Sequence, residues 1–231
     1  MVIDIIGTIA FAISGLLIAY REKSTLFGAF VMAILPSVGG GVIRDVLVQR
    51  PKLGIFLSPT YVYVVLSTVV LTFLLIRVIH IFNKKKPEKT TQKTSKAMDL
   101  SVQVFDAMGL AAYTITGVII AVISKLDPLW IWGPAMAVLT GAGGSIVRDL
   151  LRSDRYITAL KDELYAEVAL IWGLAYSLFL TWQKDGINAD LFFNAIVIVM
   201  AGVFVTRMIA VYFNIKSISF IIAQNPVLKK Q

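Results

Sequence analysis

Seven long apolar stretches constrain this chain more than any other feature. They run over Val2–Tyr20, Leu26–Val48, Pro59–Ile81, Leu100–Ile123, Leu129–Leu151, Leu164–Trp182 and Leu191–Phe213. A bilayer core about 30 Å thick is crossed by a helix of ~20 apolar residues, and each stretch suffices. A membrane β-barrel would show ~10-residue segments of alternating polarity, whereas these runs are continuous. Little chain is left for a soluble domain, and only 16% of the 231 residues are charged, against about 25% in soluble domains. The pattern predicts an all-α membrane protein with seven transmembrane helices. It excludes an ordinary soluble enzyme, a disordered protein and a disulfide-stapled secreted domain. Without Cys there is no thiolate or Cys-ligated metal chemistry, and His80 is the single histidine. No Ser–His pair or Gly-Lys-Ser/Thr loop is present, so neither enzymatic activity nor a bound metal or other cofactor is expected.

The charge distribution predicts orientation. A net charge of +8 would suggest nucleic acid in a soluble protein. In a membrane protein it reports basic loops on the cytoplasmic side, and no nucleic-acid partner is expected. Lys84, Lys85, Lys86, Lys89, Lys93 and Lys96 crowd the connection after the third span, against the single acid Glu88. That loop is expected inside, where it can meet anionic lipids, which puts the N-terminus outside and the C-terminus in the cytoplasm. The first residues carry no basic n-region, and Asp4 stands in its place, so a cleavable signal is not expected.

The chain repeats itself. Asp4-Ile-Ile-Gly7-Thr-Ile-Ala10-Phe-Ala-Ile13-Ser-Gly15 matches Asp106-Ala-Met-Gly109-Leu-Ala-Ala112-Tyr-Thr-Ile115-Thr-Gly117 at five of twelve positions. Gly39-Gly-Gly-Val-Ile-Arg44-Asp45-Val-Leu47 matches Gly143-Gly-Ser-Ile-Val-Arg148-Asp149-Leu-Leu151 at five of nine. Three spans per copy is an odd number, so the second copy is inverted in the membrane. The expected organisation is residues 1–82 as repeat 1, 83–98 as a basic cytoplasmic linker, 99–183 as repeat 2, and 184–231 as a seventh helix and tail.

Inverted repeats with broken helices mark many transport folds. Gly39, Gly40 and Gly41 after Pro36, and Gly141, Gly143 and Gly144 in the second copy, are expected to kink the second and fifth spans. Opened backbone in a membrane has to face protein or water, which would place a polar path there. The same glycines also serve close helix packing. Arg44, Asp45, Arg148 and Asp149 follow one turn later. Intramembrane charges line cavities or form pairs, although an arginine at a helix end can also snorkel to a headgroup. The topology puts Asp4 near Arg44 and Asp106 near Arg148, and each is expected to pair with its partner or to come within a few residues of doing so. Ser14, Ser37, Tyr113, Thr114, Thr116 and Thr140 are candidates for a polar lining. Arg207 reads as an anchor, Glu163 and Glu167 as a solvated helix end, and the four tryptophans mostly as interfacial belts.

Seven spans, with Gly-Gly-Gly-x-x-Arg-Asp in the second and a degenerate copy in the fifth, resemble the TRIC family of trimeric intracellular cation channels, bacterial and archaeal members most of all. The resemblance covers roughly Asp4 to Phe213. It implies two inverted three-helix repeats plus a seventh helix, a homotrimer, and a pore in each protomer lined by the kinked second and fifth helices. It further implies passive conduction of monovalent cations, K⁺ and Na⁺, in a prokaryotic plasma membrane. Ser145 in place of a third glycine, and the lack of a proline matching Pro36, make the second kink milder. A secondary transporter for a small solute such as an amino acid fits the same scaffold.

Overall fold

The computed structural model describes residues 2–51, 53–57, 59–83, 89–152, 164–183, 188–215 and 217, with side chains except at 55, 57, 75, 76, 79–83 and 89–96. Among the described residues every regular element is a helix. The helices are α1 (Val2–Arg21), α2 (Leu26–Leu47), the single turn α3 (Gly54–Leu57), α4 (Thr60–Asn83), α5 (Lys89–Ile123), α6 (Leu129–Leu151), α7 (Ala166–Trp182) and α8 (Ala189–Tyr212). Apart from α3, these are the seven expected spans. α5 begins at Lys89, so most of the expected linker is helical backbone. α1, α2, α8, the Ala97–Ile123 part of α5 and α6 are long and apolar enough to cross a bilayer, while Thr60–Leu74 and Ala166–Trp182 are shorter apolar segments.

The ends of these helices follow from local chemistry. Thr25 caps α2 by accepting from the Gly28 amide at 3.1 Å. Lys23, Gln49, Lys125 and Asn214 adopt φ between 51° and 54° just past α1, α2, α5 and α8. At each exit two amides turn back to the last helical carbonyls, as Ser24 N does to Ala19 O at 3.0 Å and Lys23 N to Tyr20 O at 3.1 Å. This closes the orphan acceptors of the last turn. Lys23 and Lys125 stand in corresponding places of the two repeats, so the turn is repeated with the helices.

The inverted duplication is visible in reciprocal contacts. Gly15 of α1 lies against the Met32 carbonyl and Ala33 of α2, and Gly117 of α5 lies against the Met136 carbonyl and Ala137 of α6. Tyr113 covers Gly7, and Phe11 covers Gly109. The two rings meet at a centroid distance of 5.3 Å. α2 and α6 cross at their glycines: Gly40 abuts the Thr140 carbonyl, and a Cβ on Gly144 would lie 2.6 Å from Leu35 O. Every one of these contacts maps onto its partner when the repeats are exchanged. The main core gathers around Phe11, Leu110, Ile115, Val118, Tyr176 and Val203, and a smaller cluster, Ala12, Leu16, Ala33, Val65 and Val69, lies under the first repeat.

The third helices break the symmetry. α7 packs tightly along α6, whereas α4 leans on α1 and barely touches α2. Outside the repeat, α8 packs on α5 and α7.

Candidate functional site

α2 and α6 continue as unbroken helices through their glycines, with Pro36 inside α2. Gly40 and Gly144 act there as contact surface, letting two backbones approach where any side chain would intrude. Opened backbone, expected from the motif, is not what these positions display. Gly41 differs: a Cβ there would meet nothing closer than Arg44 Nη2 at 3.7 Å. Gly143 touches Ile43, and Gly141 touches Leu110.

The two Arg-Asp pairs sit at opposite ends of the α2–α6 seam. At one end Arg44 Nε donates to Asp45 Oδ1 at 2.9 Å. Arg50 reaches the same oxygen at 3.4 Å, and the Gly54 amide of α3 donates to Asp45 Oδ2 at 2.7 Å. At the other end Arg148 Nε donates to Asp149 Oδ1 at 2.9 Å, and Arg148 Nη1 lies 3.5 Å from Asp106 Oδ1. Arg44 and Arg148 are each 4% exposed. Snorkelling to a headgroup is therefore not their role, since both are folded into the protein against neighbouring carboxylates. The expected Asp106–Arg148 pair is present. The Asp4–Arg44 pair is not: Asp4 accepts instead from the Tyr61 hydroxyl at 2.5 Å, and Arg44 turns to Asp45.

Tyr61 was not among the residues singled out by sequence. It begins α4, and its counterpart in the second copy is Tyr165, at the start of α7. Tyr165 is buried, with its hydroxyl 3.3 Å from Ser145 Oγ. The signal was available, because one constant offset relates Arg44 to Arg148 and Tyr61 to Tyr165. It was hidden because these tyrosines lie outside the glycine motifs.

Each end holds a cavity. The smaller, about 40 Å³, is lined by Asp4, Ser37, Gly41, Arg44, Asp45, Tyr61, Tyr113 and Thr140 among others. The larger, about 280 Å³, is lined by Asp99, Asp106, Asp149, Arg21, Arg148, Arg152, Arg207, Ser145 and Tyr165 among others. The smaller thus has two aspartates to one arginine, and the larger has four arginines to three aspartates. Arg44 Nη1, Arg148 Nη1 and Asp149 Oδ2 are buried without a hydrogen-bond partner, which leaves unspent polar capacity at both ends.

Tyr113 stands between the repeats. Its hydroxyl donates to the Ser37 carbonyl of α2 and lies 2.9 Å from Thr8 Oγ1 of α1. Phe11, its counterpart, has no hydroxyl. The Tyr113 hydroxyl thus ties α5 to both α1 and α2 at the smaller cavity. Ser14 donates to Asp106 at 3.3 Å. Ser37 and Thr140 border the smaller cavity but return their hydroxyls to their own helices, at 2.7 Å to Ala33 O and 2.6 Å to Met136 O. Thr114 and Thr116 do the same, at 2.8 Å to Leu110 O and 3.0 Å to Ala112 O, and border neither cavity.

Arg207 is no interfacial anchor. It is 3% exposed, its guanidinium lies 5.0 Å from the Tyr165 ring centre, and it lines the larger cavity. Glu167 is engaged too, accepting from the Tyr165 amide at 3.1 Å and from Ser217. Trp172 packs on Gly202 and donates to Thr206 at 3.2 Å, unlike the more exposed Trp130, Trp132 and Trp182. At the mouth of the larger cavity, Arg152 bonds Glu22 and Arg21 pairs with Asp99 at 3.0 Å. The side chains of His80 and Lys84–Lys96, and Glu163 as a whole, lie outside the described residues.

Two inverted three-helix repeats, a seventh helix and a buried Arg-Asp pair at each end of the central seam define a multi-pass membrane protein of the TRIC type. The fold matches a TRIC trimeric intracellular cation channel orthologue from Rhodobacter sphaeroides with a TM-score of 0.72, at 25% identity, over 92% of this chain and 96% of that one. A second solved TRIC cation channel gives a TM-score of 0.74 at 22% identity, over 97% of this chain and 98% of that one. Among sequence relatives, the UPF0126 membrane protein YvgT of Bacillus subtilis is 32% identical over 85% of this chain and 87% of its own length. The UPF0126 inner membrane protein YadS of Escherichia coli K12 is 33% identical over 76% of each. The family model described as "Glycine transporter" matches residues 1–77 and 103–181, one segment in each repeat. The chain belongs to that family.

Proposed function

We propose that the protein is a passive channel for monovalent cations, K⁺ and Na⁺, with one path per protomer along the α2–α6 seam. The observation that carries this reading is the pair of charged cavities at opposite ends of that seam, each closed toward the other where glycine meets backbone. The likeness to TRIC cation channels over nearly the whole chain supports it. Conduction requires the seam to part, and kinking of α2 at Pro36–Gly41 and of α6 at Gly141–Gly144 is the motion proposed. The carboxylates of Asp4, Asp45, Asp106 and Asp149 offset the arginines that would otherwise repel a cation. A homotrimer in a prokaryotic plasma membrane, N-terminus outside and C-terminus inside, with Lys84–Lys96 facing anionic lipid, completes the proposal. No Thr-Val-Gly-Tyr-Gly filter is present, so weak K⁺ over Na⁺ discrimination is expected.

One observation favours a second reading. The cavities are unequal, as in a carrier open to one side, and the larger holds an Arg148 nitrogen that meets Asp106 as an ion pair at 3.5 Å without a hydrogen bond, beside an Asp149 oxygen that has no hydrogen-bond partner. Such a pair suits the carboxylate and ammonium of a small amino acid, consistent with the family's description. Planar-bilayer recording of the purified protein under a K⁺ gradient separates the two readings. Discrete openings reversing near the K⁺ potential, and altered by Arg148→Ala, support the channel. Silent bilayers, with saturable glycine uptake by proteoliposomes of the same protein, replace it with the carrier.

A further inference from the structure

The broken symmetry of the third helices leaves a groove that neither reading uses. In the second repeat α7 lies flush on α6, because Gly133 faces Ser177 and Gly173 faces Pro134 and Ala137. The corresponding positions of the first repeat carry Ala29 for Gly133, Val69 for Gly173 and Phe73 for Ser177. These larger side chains hold α4 away from α2. The result is a groove of about 460 Å³ between α1, the start of α2 and α4, whose equivalent in the second repeat is filled by helix packing.

The groove is graded along its helices. Leu16, Ala19, Ala29 and Phe73 form an apolar wall, and Lys23 and Arg77 stand at the rim. Arg77 is one helical turn beyond Phe73, and Lys23 is one turn beyond Ala19, so both charges lie toward the membrane surface. Both are exposed, and neither has an ion-pair partner among the described residues. The lysine run that begins at Lys84 follows the same end of α4. An apolar wall under two unpaired cations complements a chain beneath a phosphate. We infer that this groove is a binding site for one anionic phospholipid per protomer, its phosphate held by Lys23 and Arg77 and an acyl chain lying against Phe73 and Ala29.

Native mass spectrometry of the full-length protein released from micelles, with added phosphatidylglycerol or phosphatidylcholine, tests the site. One phosphatidylglycerol per protomer is expected to survive at collision energies that strip phosphatidylcholine. Lys23→Gln with Arg77→Gln is expected to weaken that retention by about tenfold or more. Ala29→Trp, which fills the groove without touching a charge, is expected to do the same while elution volume and helicity stay as in wild type. Lys84→Gln with Lys85→Gln and Lys86→Gln is expected to leave it intact. Equal retention of the two lipids overturns the inference, as does undiminished phosphatidylglycerol on the Lys23/Arg77 variant. Loss on the Lys84–Lys86 variant alone reassigns the lipid to the basic run. Cross-linking of a cysteine placed at Phe73 to a second copy shows the groove covered by protein and also overturns it. None of these outcomes depends on whether the protein conducts or carries.

Discussion

At the scale of single residues, glycines of one motif do different work. Gly144 admits Leu35 O and Pro36 O of the facing helix, while a Cβ on Gly41 would make only an ordinary contact, with Arg44 Nη2 at 3.7 Å. Gly144→Ala therefore overpacks the seam and is expected to lower stability by about 1–3 kcal/mol. Gly41→Ala gains helix propensity and is expected to be neutral or stabilising by up to ~1 kcal/mol. Thermal unfolding in detergent with a fluorescence readout checks both, and equal losses would deny the distinction. The aspartates differ likewise. Asp106 faces a buried guanidinium that Asp149 also holds, so Asp106→Asn removes one of Arg148's two counter-charges, at a cost of about 1.5–3 kcal/mol. Asp4 meets a tyrosine hydroxyl, and Asp4→Asn is expected to cost about 1–2 kcal/mol in the same assay. Nothing in the two aligned motifs separates these aspartates. The difference arises from Tyr61, whose hydroxyl takes Asp4, whereas that of its counterpart Tyr165 lies against Ser145.

At the scale of helices, Tyr113 fastens α5 to both α1 and α2, and its counterpart Phe11 has no such hydroxyl. Tyr113→Phe removes that tie at a cost of about 1 kcal/mol and makes the two ends more alike. The expected outcome is faster labelling of a cysteine introduced at Val38, beside the smaller cavity, by a small water-soluble thiol reagent. An unchanged rate would mean that the hydroxyl does not hold that end shut. The helix boundaries were largely legible in sequence, because each apolar run ends in charged or turn-forming residues and burial in lipid admits only helix. The extent of α5 was not, since the lysines of 89–96 read as solvated linker whether or not their backbone is helical. Nor was α3, a single turn whose Gly54 amide is held by the Asp45 carboxylate.

At the scale of the whole molecule, an inverted duplication would give two equal ends, yet the ends differ in size and charge. The seventh helix is one source, since Arg207 enters only the larger cavity. If the protein conducts, unequal fixed charge at the two ends should make the current–voltage curve asymmetric in symmetric low-salt K⁺. Because exposed charges are screened beyond about 10 Å at 0.1 M, the asymmetry should shrink in 1 M KCl. A curve that is symmetric at both concentrations would show that these charges do not face the path. The mouth pair Arg21–Asp99 is nearly half exposed, and Asp99→Asn is expected to cost no more than ~1 kcal/mol, so its loss should alter current before stability.

The sequence by itself determined the membrane class, the seven spans, the inverted duplication and the presence of an Arg-Asp pair in each copy. Apolar length and repeated polar residues are local properties that the bilayer converts directly into topology. It also brought most of the smaller cavity's lining into view, Asp4, Ser37, Gly41, Arg44, Asp45, Tyr113 and Thr140, but of the larger cavity only Asp106, Arg148 and Asp149. Only the tertiary structure decided which carboxylate each arginine meets, that Tyr61, Tyr165 and Arg207 join the site, and that Thr114 and Thr116 do not. Those outcomes depend on how far apart packed helices stand. At that distance a glycine replaced by alanine, or a serine by phenylalanine, decides whether two helices touch or leave a groove.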